Sequence, residues 1–108
     1  MLPLQIARNR EHLRVLCLGA HADDIEIGCG GTLLRLQNDF PHLEVTWVVL
    51  STPLDRGVEA RNSAKTLLPR SANLEIVFGD LPDGYFPAEY RRCKDFIAAL
   101  GARTAPDL

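Results

Sequence analysis

Short apolar runs alternate with longer amphipathic stretches along this chain, and that alternation sets its expected architecture. Residues 14–20 (Arg-Val-Leu-Cys-Leu-Gly-Ala) are short and almost continuously apolar, as buried strands of parallel sheets are. Leu33, Leu36 and Phe40 then recur at helical spacing and predict a helix over 32–39, which Pro41 closes. Residues 43–50 (Leu-Glu-Val-Thr-Trp-Val-Val-Leu) are β-branched and aromatic and predict a second strand. Ala60, Ala64, Leu67 and Leu68 form one stripe of a second helix that Pro69 ends. A third strand is expected over 74–78. Phe86, Tyr90, Cys93, Ile97 and Leu100 mark a third helix, with Pro87 in its first turn and Gly101 near its end. Residues 1–13 form a polar lead-in.

The pattern β-α-β-α-β-α implies right-handed crossovers and a parallel sheet, hence an α/β fold. No repeat, low-complexity segment or linker interrupts it, and 108 residues suffice for one small domain. Three strands make a thin core, and Ala105-Pro106-Asp107-Leu108 look like the beginning of a fourth. Residues 1–108 are therefore expected to be the N-terminal part of a single larger domain.

Composition narrows the function classes. The chain is 46% hydrophobic and 24% charged with a net charge of −2, an ordinary globular balance without general attraction to nucleic acid or anionic membranes. Arg91, Arg92 and Lys94 form the densest basic group, small enough to be one solvated helix face. No apolar run reaches the roughly 18 residues a membrane helix needs. The three cysteines, Cys17, Cys29 and Cys93, are widely spaced and lack a C-x-x-C pair, so neither a disulfide framework nor a cysteine zinc knuckle is suggested. Cys17 falls inside a buried strand and reads as a small core residue. The first fourteen residues carry Arg8, Arg10, Glu11 and Arg14 and contain no signal-peptide core, so a reducing, cytoplasmic setting is expected.

The chemistry is concentrated just after the first strand. His21-Ala22-Asp23-Asp24-Ile25-Glu26 holds a histidine and three carboxylates, followed by Gly28, Gly30 and Gly31. Polar residues delivered from a strand end into the loop before a helix stand where open α/β sheets hold ligands. His21 and Asp24 can reach one ion; an imidazole with a carboxylate suits Zn2+ and also Fe2+ or Mn2+. Asp23 is the candidate base for a water whose pKa the metal lowers, and Glu26 can hydrogen-bond a ligand from behind. The competing reading makes Asp23 or Asp24 an ordinary helix N-cap. A phosphate-cradling loop fits poorly, because Leu33 stands where G-x-G-x-x-G needs glycine. The glycines are expected to serve tight turning and close helix-to-sheet packing. His12 and His42 precede the first and second strands, at the opposite strand ends, so a third ligand for the His21 site is not expected within this chain.

The stretch from His21 to Leu33 resembles the signature (A/P)-H-P-D-D-x-E-x-G-x-G-G-T of the PIG-L/LmbE-like zinc-dependent deacetylases, most of all their bacillithiol-type bacterial branch. Arg56-Gly57-Val58-Glu59-Ala60 is similar to the family's R-x-x-E-A segment. Phe78-Gly79-Asp80-Leu81-Pro82-Asp83-Gly84 is similar to a turn carrying a substrate-facing aspartate. The resemblance covers about residues 14–108, the first half of the family's usual domain.

What the resemblance implies is a Rossmann-like three-layer sandwich with a mostly parallel sheet, incomplete at its C-terminus. It implies hydrolysis of the acetamide of an N-acetylglucosamine-type conjugate, with acetate released. His21 and Asp24 match metal ligands, Asp23 the general base, and Arg56 and Asp83 positions that touch the sugar. Its partner is then a small acetylated amino sugar, with neither nucleic acid nor membrane span and with room for a homo-oligomer. Ala22 replaces the usual proline, Leu68-Pro69 stands where the family often has Leu-Gly, and loop 51–55 is shorter than in many members. The family's H-x-x-D-H segment, which supplies the third ligand, is absent, so this chain alone is expected to bind metal poorly and turn over little or nothing. Plainer readings stand beside these: Arg56 paired with Glu59 one turn away, and Asp83 as a turn residue before Gly84. Two further alternatives are a metal-free sugar- or nucleotide-binding module and a degenerate, non-catalytic half-domain.

Overall fold

The computed structural model describes residues 5–6, 11–53, 55–70 and 73–108. Six elements follow in order: β1 (His12–Gly19), α1 (Asp24–Asp39), β2 (His42–Val49), α2 (Arg56–Leu67), β3 (Asn73–Phe78) and α3 (Tyr90–Thr104). The strands form one parallel sheet in the order β1-β2-β3, with His12 opposite His42 and Val45 opposite Leu74. Of the lead-in expected over residues 1–13, all but residues 5–6 and 11–13 lies outside the described residues; so does Leu54 of the loop 51–55.

Alternation along the strands divides the core. Leu13, Val15 and Cys17 of β1 join Leu43, Val45, Trp47 and Val49 of β2 on one face. Ile25, Leu33 and Leu36 of α1 and Ala60 and Ala64 of α2 cover them. Each large apolar side chain removed from water there contributes roughly 1.5–3 kcal/mol. Two right-handed crossovers stepping in one direction place α1 and α2 on the same side, where they touch each other. The opposite face buries Thr46, Val48, Leu81 and Leu100, and α3 contacts β1 there. Helices therefore flank both faces of an α/β sheet.

The chain's last residues pair with the free edge of β1. Leu108 N–H donates to the Arg14 carbonyl (3.2 Å) and Leu16 N–H donates to the Leu108 carbonyl (2.9 Å). That reciprocal pair brackets Val15, the bonding of a parallel ladder. Asp107 adds its N–H to the Arg14 carbonyl (2.8 Å) and accepts from Arg14 N–H on its carboxylate (3.0 Å). Residues 107–108 thus lie along β1, beside the three-stranded sheet β1-β2-β3.

Two helices differ from the sequence expectation. α1 begins at Asp24 rather than Thr32 and takes in Gly28, Gly30 and Gly31. None of these three glycines has positive φ, so they do not serve tight turns. They flank a break in α1 at Cys29 (φ −142°, ψ 15°), where runs of residues with weak helix propensity permit a kink. A Cβ at Gly30 would meet the Leu67 side chain at 3.7 Å, so the close packing is helix against helix, not helix against sheet. α3 begins at Tyr90 instead of near Phe86, residues 86–89 being turns, and runs through Gly101 to Thr104. Ala105 (φ 42°) ends it in the left-handed region.

Candidate functional site

Backbone hydrogen bonds beyond the strands hold the post-strand segments side by side. Leu50 N–H donates to Gly19 O and Ser51 N–H to Ala20 O, both at 2.9 Å. Gly79 N–H donates to Val49 O at 2.7 Å, and Leu81 N–H to Leu50 O at 3.2 Å. The approach at Gly79 admits no side chain, since a Cβ there would stand 2.5 Å from the Leu50 carbonyl oxygen. These contacts bring His21, Arg56 and Asp83, far apart in sequence, to one end of the sheet. It is the carboxyl end of the strands, the end at which open α/β sheets bind ligands.

His21 is the hub. Its Nε2 lies 2.7 Å from Asp83 Oδ1; a carboxylate only accepts, so Nε2 carries the hydrogen. Its backbone N–H donates to Asp24 Oδ2 at 2.8 Å, and the ring nitrogen Nδ1 stands 3.6 Å from the same oxygen. The Phe86 ring stacks on the imidazole with centroids 6.3 Å apart and planes at 14°. The hydrogen bond to Asp83 raises the His21 pKa above its usual 6.5, and the charges of Asp83, Asp24 and Asp23 add to it against a lowering by desolvation.

The ordinary capping reading does not hold for either aspartate. Asp23 occupies the N-cap position of α1 but makes no side-chain cap hydrogen bond. Its Oδ2 lies 3.8 Å from an Arg56 guanidinium nitrogen. Asp24 spends an oxygen on the His21 backbone. Arg56 also pairs with Glu59 (Nε to Oε2, 3.2 Å), so the plainer ion pair coexists with the link to Asp23. Asp83 sits in the expected turn, before Gly84 at φ 75°. Glu26 is half-buried, and its Oε2 is shielded from solvent with no hydrogen-bond partner among the described residues. Leaving such an acceptor unmatched costs about 1–3 kcal/mol.

The structure thus gathers His21, Asp23, Asp24, Arg56 and Asp83 through direct contacts. The sequence did not disclose the Asp83–His21 hydrogen bond, and it assigned Phe86 to a helix stripe instead of to the His21 ring. Asp-Gly after the third strand was the available signal, but nothing local says which partner a turn aspartate meets. Cys17, as expected, is a buried core thiol; burial first, and then neighbouring Cys29, push its pKa up to about 12. Among the described residues, one group of three metal-capable side chains has ligand atoms within 4.8 Å of one another: Glu11, His12 and His42. It lies at the amino ends of β1 and β2, away from His21. No helix among the described residues is long and apolar enough to cross a membrane.

Comparison with known proteins relates part of this chain to a deacetylase. Over 60 residues it is 40% identical to the uncharacterized deacetylase YaiS of Escherichia coli (strain K12). The match covers 49% of this chain and 31% of that protein, so the chain aligns with about a third of its relative. No family model and no solved structure matches the chain.

Proposed function

We propose that this chain carries part of the active site of a metal-dependent N-deacetylase that hydrolyses the acetamide of an N-acetylglucosamine-type conjugate. The observation that supports it most is the facing of His21 Nδ1 and Asp24 Oδ2 at 3.6 Å, at the carboxyl end of a parallel sheet. Two ligands on a tetrahedral zinc ion at 2.0–2.2 Å stand about 3.3 Å apart, so the pair fits one ion with little movement. The Asp83 bond on the other ring nitrogen is the carboxylate–imidazole support that metal-bound histidines ordinarily have. The partial likeness to a protein named as a deacetylase agrees with this chemistry.

His21 and Asp24 would hold a Zn2+, Fe2+ or Mn2+ ion, which would supply Lewis acidity toward water and a carbonyl. The chain's own residues do the rest. Asp23, beside that ion's ligands, accepts the proton of the attacking water and returns it to the amine nitrogen as the C–N bond breaks. Arg56 holds the Asp23 carboxylate in place and offers its remaining N–H groups to the sugar. Asp83 keeps His21 in the tautomer that leaves Nδ1 for the metal, and presents its second oxygen to substrate. Glu26 accepts a hydrogen bond at its buried oxygen once a donor ligand arrives.

The test is acetate release from an N-acetylated amino-sugar conjugate by the polypeptide as encoded, with and without a chelator. Release is expected to stop on chelation and to fall by about 10²–10⁴-fold in Asp23→Asn. Release that survives both treatments overturns the proposal.

A further inference from the structure

We infer that Glu11, His12 and His42 form a second divalent-metal site, of the imidazole–imidazole–carboxylate class, at the amino end of the sheet. His12 and His42 open β1 and β2 and are direct register partners, so their side chains leave the same face of neighbouring parallel strands. Their rings lie with centroids 4.5 Å apart and planes at 19°, the spacing that adjacent strands impose. Glu11 is held in step with them, because its carbonyl accepts the His42 N–H at 3.0 Å. One ligand atom from each of the three lies within 4.8 Å of the other two.

All three side chains are exposed, so an ion reaches them without a buried charge having to be desolvated. Ligand atoms already within 4.8 Å of one another come onto one ion by side-chain rotation, the imidazoles tilting out of their stack. Two imidazoles and one carboxylate with an open fourth position select Zn2+, Co2+, Ni2+ or Cu2+ over Mg2+ and Ca2+, which prefer oxygen. Since the ligands come from two strands, a bound ion clamps the start of β1 to the start of β2. The seven residue steps of β1 put this site about 23 Å of strand away from the His21 loop, so it stands or falls independently of the deacetylase reading.

The test is a Co2+ titration of the His21→Ala protein at about pH 7.5. The expected result is one Co2+ bound with the visible absorption of a four-coordinate site, together with a rise in melting temperature. Both disappear on adding His12→Ala or His42→Ala and weaken on adding Glu11→Gln. Magnesium at the same concentration produces neither. Failure to take up Co2+ by protein whose circular dichroism shows it folded would overturn the proposal. So would uptake that is unchanged by His12→Ala and His42→Ala.

Discussion

Asp83 and His21, 62 residues apart in sequence, are joined by a 2.7 Å hydrogen bond across the carboxyl end of the sheet. One consequence is electrostatic. The bond favours the imidazolium form and lifts the His21 pKa. A raised pKa in the folded state stabilises the fold fully below the unfolded value of 6.5, and that stabilisation fades as pH rises through the folded value. Asp83→Asn should therefore lower the His21 pKa, read from its imidazole proton shifts. In metal-free protein the substitution should depress the melting temperature near pH 6 and not near pH 8.5.

The same bond bears on metal affinity. A ligating imidazole must be neutral, so protons compete with an ion for Nδ1, and they compete from a higher pH than they would at an unperturbed histidine. Removing the supporting carboxylate with Asp83→Ala is expected to weaken Zn2+ binding at His21 and Asp24 by about 10–100-fold, measured by competition with a chelating dye. An unchanged affinity would leave Asp83 as a turn residue only.

Arg56 separates folding from function. It is partly exposed, and its links to Asp23 (3.8 Å) and Glu59 (3.2 Å) are surface ion pairs. Such pairs contribute about 0–1 kcal/mol, so Arg56→Ala should shift urea unfolding very little. Acetate release should fall by at least about tenfold, because the Asp23 carboxylate loses its anchor and the sugar a donor. A large stability loss with normal turnover would contradict the role assigned to it.

The glycines give opposite outcomes. Gly28 and Gly31 lie in α1 with open space where a Cβ would stand, so alanine at either should stabilise by about 0.5–1 kcal/mol. Gly79→Ala must push against the Leu50 carbonyl and should lower the melting temperature. Thermal unfolding of the three variants checks both signs.

How much of this was legible in the sequence follows from which interactions are local. The three strands stand within two residues of their expected bounds, because buried parallel strands need unbroken apolar runs. Residues 105–108, expected to begin a fourth strand, form no strand, although Leu108 exchanges backbone bonds with β1. The start of α1 was missed by eight residues, since Gly28, Gly30 and Gly31 look like a loop when read without Ile25, Leu33 and Leu36 packed on the sheet. α3 was placed too early because Phe86 matches its apolar spacing yet stacks on His21. His21, Asp23 and Asp24 were visible as a cluster because they are consecutive. Contacts of Asp83 and Arg56 with that cluster depend on loops zipped together by backbone bonds, which no local pattern encodes.

A crystal of the polypeptide as encoded, grown with zinc and measured at the zinc absorption edge, shows whether His21 and Asp24 hold an ion. An anomalous peak is expected about 2.0–2.2 Å from both His21 Nδ1 and Asp24 Oδ2. A peak confined to Glu11, His12 and His42, with His21 still bonded to Asp83 and no ion beside Asp24, would contradict the proposed function.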